Sequence, residues 1–146
     1  MKNRKCSLSI LLLALFSLNS VAQTISLEIS GITNAGVLHL AIYNNKEVFE
    51  SDRGDNAGPK DGIVAGLIQE VQVGVFTSQV DLPSGQYAIA LYVDVNGNKR
   101  IDSNFLGIPK EQYGFSNNVM GAFGPPKFEK ASFDHGESST VKIHLK

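Results

Sequence analysis

Three features of the sequence predict an all-β chain folded as an antiparallel β-sandwich of immunoglobulin-like or transthyretin-like kind. Apolar and polar residues alternate with a period of two in several short stretches, no long stretch carries a helical period, and Gly, Pro, Asn and Asp clusters separate the stretches. A small barrel is the alternative way to close the same strands. The sandwich carries one departure from the pattern, a long irregular, aromatic-rich segment before the last strand.

The chain opens on a processing segment, residues 1–22. Lys2, Arg4 and Lys5 form a basic start, Ser9 to Leu18 is a short apolar run, and Ser20-Val21-Ala22 gives a small-x-small cleavage site. Cleavage is expected after Ala22, leaving a single β-sandwich domain over 23–146. The run is too short for a membrane-spanning helix, and no later stretch reaches the ~20 apolar residues that a span needs. The expected product is therefore exported, to the periplasm or beyond the cell.

Ile25, Leu27 and Ile29 alternate with Ser26, Glu28 and Ser30, the mark of a strand with one wet face. Next, Leu38, Leu40 and Ile42 oppose Val37, His39, Ala41 and Tyr43, and two apolar faces indicate a central strand. Alternation then stops from Asn44 to Gly66, where Lys46 to Glu50 suits a short helical turn and the remainder reads as loop. Leu67 to Val73 and Val75 to Leu82, divided by Gly74, read as a hairpin whose second strand buries Phe76, Val80 and Leu82. The Pro83-Ser84-Gly85 turn feeds the strand Tyr87 to Val93, on which Tyr87, Ile89, Leu91 and Val93 share a face. Ala88 and Ala90 keep its other face thin, so a neighbour can approach closely there. No period is visible from Ser103 to Phe133, and Val141, Ile143 and Leu145 alternate with polar residues in a last strand.

Composition narrows the function. Cys6 is the only cysteine and goes with the leader, which excludes disulfides, a cysteine nucleophile and thiolate metal sites from the mature chain. The leader also takes Lys2, Arg4 and Lys5, so thirteen Lys and Arg become ten against fourteen Asp and Glu, a balance of −4. That sign argues against nucleic acid as a partner.

The chemistry of the sequence lies where the Tyr87 to Val93 strand runs into Asp94-Val95-Asn96-Gly97-Asn98-Lys99-Arg100-Ile101-Asp102. Counted from Asp94, oxygen side chains stand at positions one, three, five and nine with an apolar residue at eight, as in the first half of a calcium loop. Calcium takes six to eight oxygens at roughly 2.3 to 2.6 Å, and alternating oxygen side chains can wrap them around one point. The candidate ligands are Asp94, Asn96, Asn98 and Asp102, with the backbone carbonyl of Arg100 at position seven. Two features weaken the site: position twelve, usually glutamate, is Phe105, and position six, usually glycine, is Lys99. A structural calcium of weak affinity, on the order of 10⁻⁴ to 10⁻³ M, is the expectation. The plain alternative is an Asn-Gly turn whose side chains cap their own backbone.

The aromatic segment from Phe105 to Phe133 has two readings as well. Its rings either pin a long loop onto the core, or they form with Asn117 and Asn118 a ligand surface of Tyr113, Phe115 and Phe123 for a glycan, a peptide, or an envelope or extracellular protein. Exposure of those three rings separates the two. Asn117 and Asn118 also suit turns. Enzyme readings find little: no phosphate loop, zinc motif or nucleophile elbow is present, and His39, His135 and His144 read as solvated surface histidines. Asp52, Asp55 and Asp61 crowd a Gly-rich loop as solvating charges do. A cell-envelope hydrolase would require Asp and His side chains converging in a cleft.

Several motifs together resemble a known family. They are Leu82-Pro83 with Gly85, Tyr87-Ala88-Ile89-Ala90, Asp94, Asn96-Gly97-Asn98 and Asp102, then Asn104-Phe105-Leu106-Gly107-Ile108-Pro109 and Glu111. Tyr113-Gly114-Phe115-Ser116-Asn117-Asn118, Gly124-Pro125-Pro126, Phe128, Ala131 and Phe133 complete the set. The chain thereby resembles the exported bacterial family catalogued as domain of unknown function 2141, over essentially the whole mature length. The resemblance implies an exported β domain and no assigned activity, and it implies glycine at the position of Lys99, where this chain departs. The Asp94, Asn96, Asn98 and Asp102 set is also similar to the calcium loops in β-sandwich repeats of bacterial surface adhesins.

Overall fold

Alternation along the chain becomes two sheets packed face to face. The structure, a computed structural model, describes residues 22–54, 60–137 and 139–146. The leader up to Val21, and Asp55 of the Gly-rich loop, lie outside the described residues. The strands are β1 (Gln23–Ile32), β2 (Gly36–Tyr43), β3 (Ile63–Val71), β4 (Gly74–Leu82), β5 (Gly85–Asp94), β6 (Tyr113–Phe115), β7 (Phe133–His135) and β8 (Ser139–His144). Two short helices, α1 (Lys46–Ser51) and α2 (Phe128–Ala131), and a 3-10 turn at Ser116–Asn118 interrupt them.

The smaller sheet has the order β4-β1-β8 and the larger β3-β2-β5-β6, with β7 paired to the start of β5. Pairing is antiparallel with one exception, since β8 runs parallel to β1 from Ile25 opposite Ser139 to Ser30 opposite His144. A parallel pair needs a long connection. Here the rest of the chain supplies it, because β1 is the first strand and β8 the last.

Between the sheets, Ile25, Leu27 and Ile29 of β1 meet Leu38, Leu40 and Ile42 of β2 and Tyr87, Ile89, Leu91 and Val93 of β5. Each large aliphatic side chain buried there contributes about 1.5 to 3 kcal/mol. Phe76 and Val80 of β4 are only partly buried against this core, while Leu82 is fully buried. The register matches the period read from the sequence because a slip by one residue would turn every apolar side chain to water.

A second, smaller core covers the outer face of the larger sheet. Ala88 and Ala90, with Ala41 beside them, leave room for Tyr43, Phe49, Phe115, Phe128 and Ala131 to pack down. The Phe49 ring of α1 meets Tyr43, Phe115 and Phe128 edge-on, at centroid separations of 5.3, 6.0 and 5.8 Å. Edge-to-face contact is the favoured arrangement for such rings. The Ser116 side chain, fully buried, accepts the Ile89 N–H at 2.9 Å and donates to the Ala131 carbonyl at 2.6 Å, tying β5 to α2.

The segment from Ser103 to Phe133 is therefore more ordered than its sequence pattern suggests. It contains β6, α2 and the first residue of β7, elements of three or four residues that are too short to display a period. β3 also begins at Ile63, four residues before the alternation becomes visible at Leu67, because Gly66 interrupts the pattern there without breaking the pairing to β2. Lys46–Ser51 is helical as the sequence suggests, with the Asn45 side chain accepting the Val48 N–H at 2.9 Å as an N-cap.

Candidate functional site

β5 is held between β2 and β6 and ends at Asp94, opposite Val37. Asp94 is 2% exposed, and its carboxylate turns under the loop that follows. One oxygen accepts the Gly97 N–H and the other the Lys99 N–H, both at 2.7 Å. Two further Asx-type bonds wind the loop: Asn96 Oδ1 accepts the Asn98 N–H and Asn98 Oδ1 the Arg100 N–H, each at 3.1 Å. Gly97 and Lys99 both carry positive φ, 78° and 63°. For Lys99 that backbone is uncommon, and the Asp94 carboxylate on its N–H holds it there.

Asp102 is the hub of the loop. The amides of Asn96 and Asn98 both donate to its carboxylate, the second at 2.9 Å, and the Arg100 guanidinium lies 3.8 Å away. Those donors, Asn98 first and then Asn96, hold the Asp102 carboxyl below the usual carboxylate range, with Arg100 and Lys110 assisting. So Asn96, Asn98 and Asp102 are brought together, while Asp94 sits beneath them on backbone N–H groups. Among the described residues no group of three or more His, Cys, Asp or Glu is arranged to hold a metal, so any cation here would depend on the amide and carbonyl oxygens.

Sequence reasoning missed two residues at this site. Glu111 reaches back to accept the Val95 N–H at 2.9 Å and the Asp102 N–H at 3.1 Å, clamping both ends of the loop. Its distance along the chain hid it, although it stands among the family motifs. His39 is the second: it is buried, not solvated, stacked on Tyr92 at a centroid distance of 4.9 Å and 3.7 Å from Asp94. Neither of its ring nitrogens has a hydrogen-bond partner among the described residues. Burial, and then the Asp94 charge, push the Tyr92 hydroxyl well above its ordinary pKa. His39 and Asp94 share an open depression of about 290 Å³ with Val37, Ile68, Gly97 and Lys99.

The other histidines and the acidic loop have structural surroundings. His135 is also buried, with its ring nitrogens 3.1 Å from Ser139 Oγ and from the Gln23 carbonyl, where it joins β7 to the smaller sheet. His144 alone is exposed, as expected. Asp52 accepts from the Tyr43 hydroxyl at 3.0 Å and the Gly54 N–H at 2.9 Å, and lies 3.0 Å from the Lys60 ammonium. Asp61 is exposed.

The proposed ligand surface is not assembled as one face. Phe115 is buried, Tyr113 is half-buried, and Phe123 stands 98% exposed. Asn117 and Asn118 occupy left-handed turns at φ 59° and 53°. Asn117 donates to the carbonyls of Lys130 and Ser132 at 3.0 and 2.8 Å, and Asn118 accepts the His144 N–H at 2.7 Å. Both amides act as struts between the turn, α2 and β8.

A family model described as "Uncharacterized protein conserved in bacteria (DUF2141)" matches residues 27–143. No curated protein and no solved structure matches the chain.

Proposed function

The chain belongs to this bacterial family of uncharacterised proteins, DUF2141, and from its loop geometry we propose an exported, non-enzymatic β-sandwich module whose Asp94–Asp102 loop takes calcium weakly, for structure. The observation that carries the reading is the convergence of Asn96 and Asn98 on Asp102. A half-turn of each terminal amide exchanges its NH₂ for its oxygen, converting two donors on Asp102 into two ligands beside it at the cost of the bonds those oxygens accept from the Asn98 and Arg100 N–H groups. Asp94 supports the same reading by winding the backbone through positions four and six of the loop. Bound calcium would neutralise two carboxylates and fix the exit of β5, from which the Ser103 to Phe133 segment departs.

Titration of calcium into the purified protein by calorimetry tests the reading. The expected result is one site per chain with a dissociation constant on the order of 10⁻⁴ to 10⁻³ M, lost in Asp102→Asn. Absence of heat at millimolar calcium sinks it. The other reading, a glycan-, peptide- or protein-binding module using the aromatic segment, retains Phe123 as the one exposed ring of Tyr113, Phe115 and Phe123, and these three form no shared platform.

A further inference from the structure

Apolar surface is distributed unevenly over this molecule. Of the nine large apolar side chains exposed among the described residues, six lie at one end of the sandwich: Val73, Val75, Val95, Phe105, Leu106 and Ile108. The strand registers place Val73, Val75 and Val95 at that end, since Ile32 faces Gly74, Gly36 faces Val71 and Val37 faces Asp94 there, and Glu111, on the Val95 and Asp102 N–H groups, holds the turn of Phe105, Leu106 and Ile108 to the same end. The most exposed of the six is Phe105, at 95%, in the turn after the oxygen-rich loop, where Leu106 is 67% and Ile108 55% exposed.

That turn is built from within. Asn104 accepts the Leu106 and Ile108 N–H groups on Oδ1 at 2.9 and 3.0 Å and the Gly107 N–H on its carbonyl at 2.9 Å. Its own N–H donates to the Ile108 carbonyl at 2.8 Å, and Ser103 bridges to Pro109 below. The N–H groups of residues 106 to 108 are thus satisfied internally, which entry into a medium of low polarity requires.

Charge around the turn is one-sided. Lys99, Arg100 and Lys110 are exposed, whereas the nearby acids are turned inward, Asp94 and Glu111 onto backbone N–H groups and Asp102 onto the two amides. Glu70, on β3, is the exposed acid closest to this end in register.

We propose that the Phe105-Leu106-Gly107-Ile108 turn is a wedge that enters the interfacial layer of an anionic lipid bilayer, with Lys99, Arg100 and Lys110 meeting the headgroups. A convex apolar tip in which the N–H groups of residues 106 to 108 are satisfied, with a basic rim, fits a fluid interface, which needs no complementary pocket. The proposal is independent of calcium, so it is tested with a chelator present.

The chain contains no tryptophan, so Phe105→Trp places a single indole reporter at the tip. The expected results are quenching of that indole by vesicles of brominated phosphatidylethanolamine and phosphatidylglycerol, and sedimentation of the natural protein with the same lipids. Phe105→Asp, at an exposed position and checked for an unchanged melting temperature, is expected to weaken that partitioning by about tenfold or more, the effect of losing one buried Phe. Absence of quenching, sedimentation that Phe105→Asp leaves unchanged, or equal binding to neutral phosphatidylcholine overturns the proposal. Capture of a protein partner through the tip without vesicle binding would also overturn it, assigning the wedge to that protein.

Discussion

At position six of its oxygen-rich loop the chain carries Lys99 at φ 63°, where glycine would sit without strain. A side chain in that conformation costs about 1 kcal/mol, and its ammonium opposes a nearby cation. Lys99→Gly is expected to leave the fold intact and to tighten calcium binding about fivefold through loss of one positive charge, read by calorimetry. Asp102 gives the loop a pH signature. Its carboxyl lies below the usual range in the folded protein, so the stability it contributes is complete above about pH 4 and is lost as the pH falls through the lowered folded value. Melting temperature measured from neutral to strongly acid pH is expected to decline less steeply below about pH 4 in Asp102→Asn than in the natural protein. The alternating oxygens of this loop were legible in the sequence because their spacing is local. Glu111 and His39 were not, because one acts from nine residues beyond Asp102 and the other from a neighbouring strand whose outer face the loop covers.

Among the elements, legibility follows length. β1, β2, β4 and β5 run eight to ten residues, enough for their alternation to declare a buried face. β6, β7 and α2 run three or four, and what fixes them is tertiary: β6 adds to the edge of β5, while α2 packs Phe128 and Ala131 onto the alanines of that strand. Ser116 shows how much of this second layer depends on one buried hydroxyl. Ser116→Ala leaves the Ile89 N–H and the Ala131 carbonyl without their shared partner. The expected cost is about 2 to 3 kcal/mol, read as a lower urea midpoint, with the loss concentrated in the contact between α2 and the larger sheet. Ser116→Thr, which keeps the hydroxyl, separates the hydrogen bonds from simple space filling. The thin face of β5 was itself legible, since Ala88 and Ala90 interrupt a run of large residues; which rings would cover it was not.

Over the whole molecule, the sandwich presents two different ends. The β7 end is closed by His135 between Ser139 and Gln23, and the opposite end carries the clamped loop, the basic side chains and the apolar turn. Among the described residues no helix is long and apolar enough to cross a membrane. The most direct test of the cation loop is the melting temperature of the purified protein in about 10 mM calcium against the same concentration of magnesium. A dissociation constant on the order of 10⁻⁴ to 10⁻³ M yields about 1.4 to 2.7 kcal/mol at that concentration, a rise of about 5 to 10 °C for a domain of this size. The expected result is that rise with calcium, little with magnesium, and none in Asp102→Asn; an unchanged melting temperature, or the same rise in the variant, would contradict the loop as a calcium site.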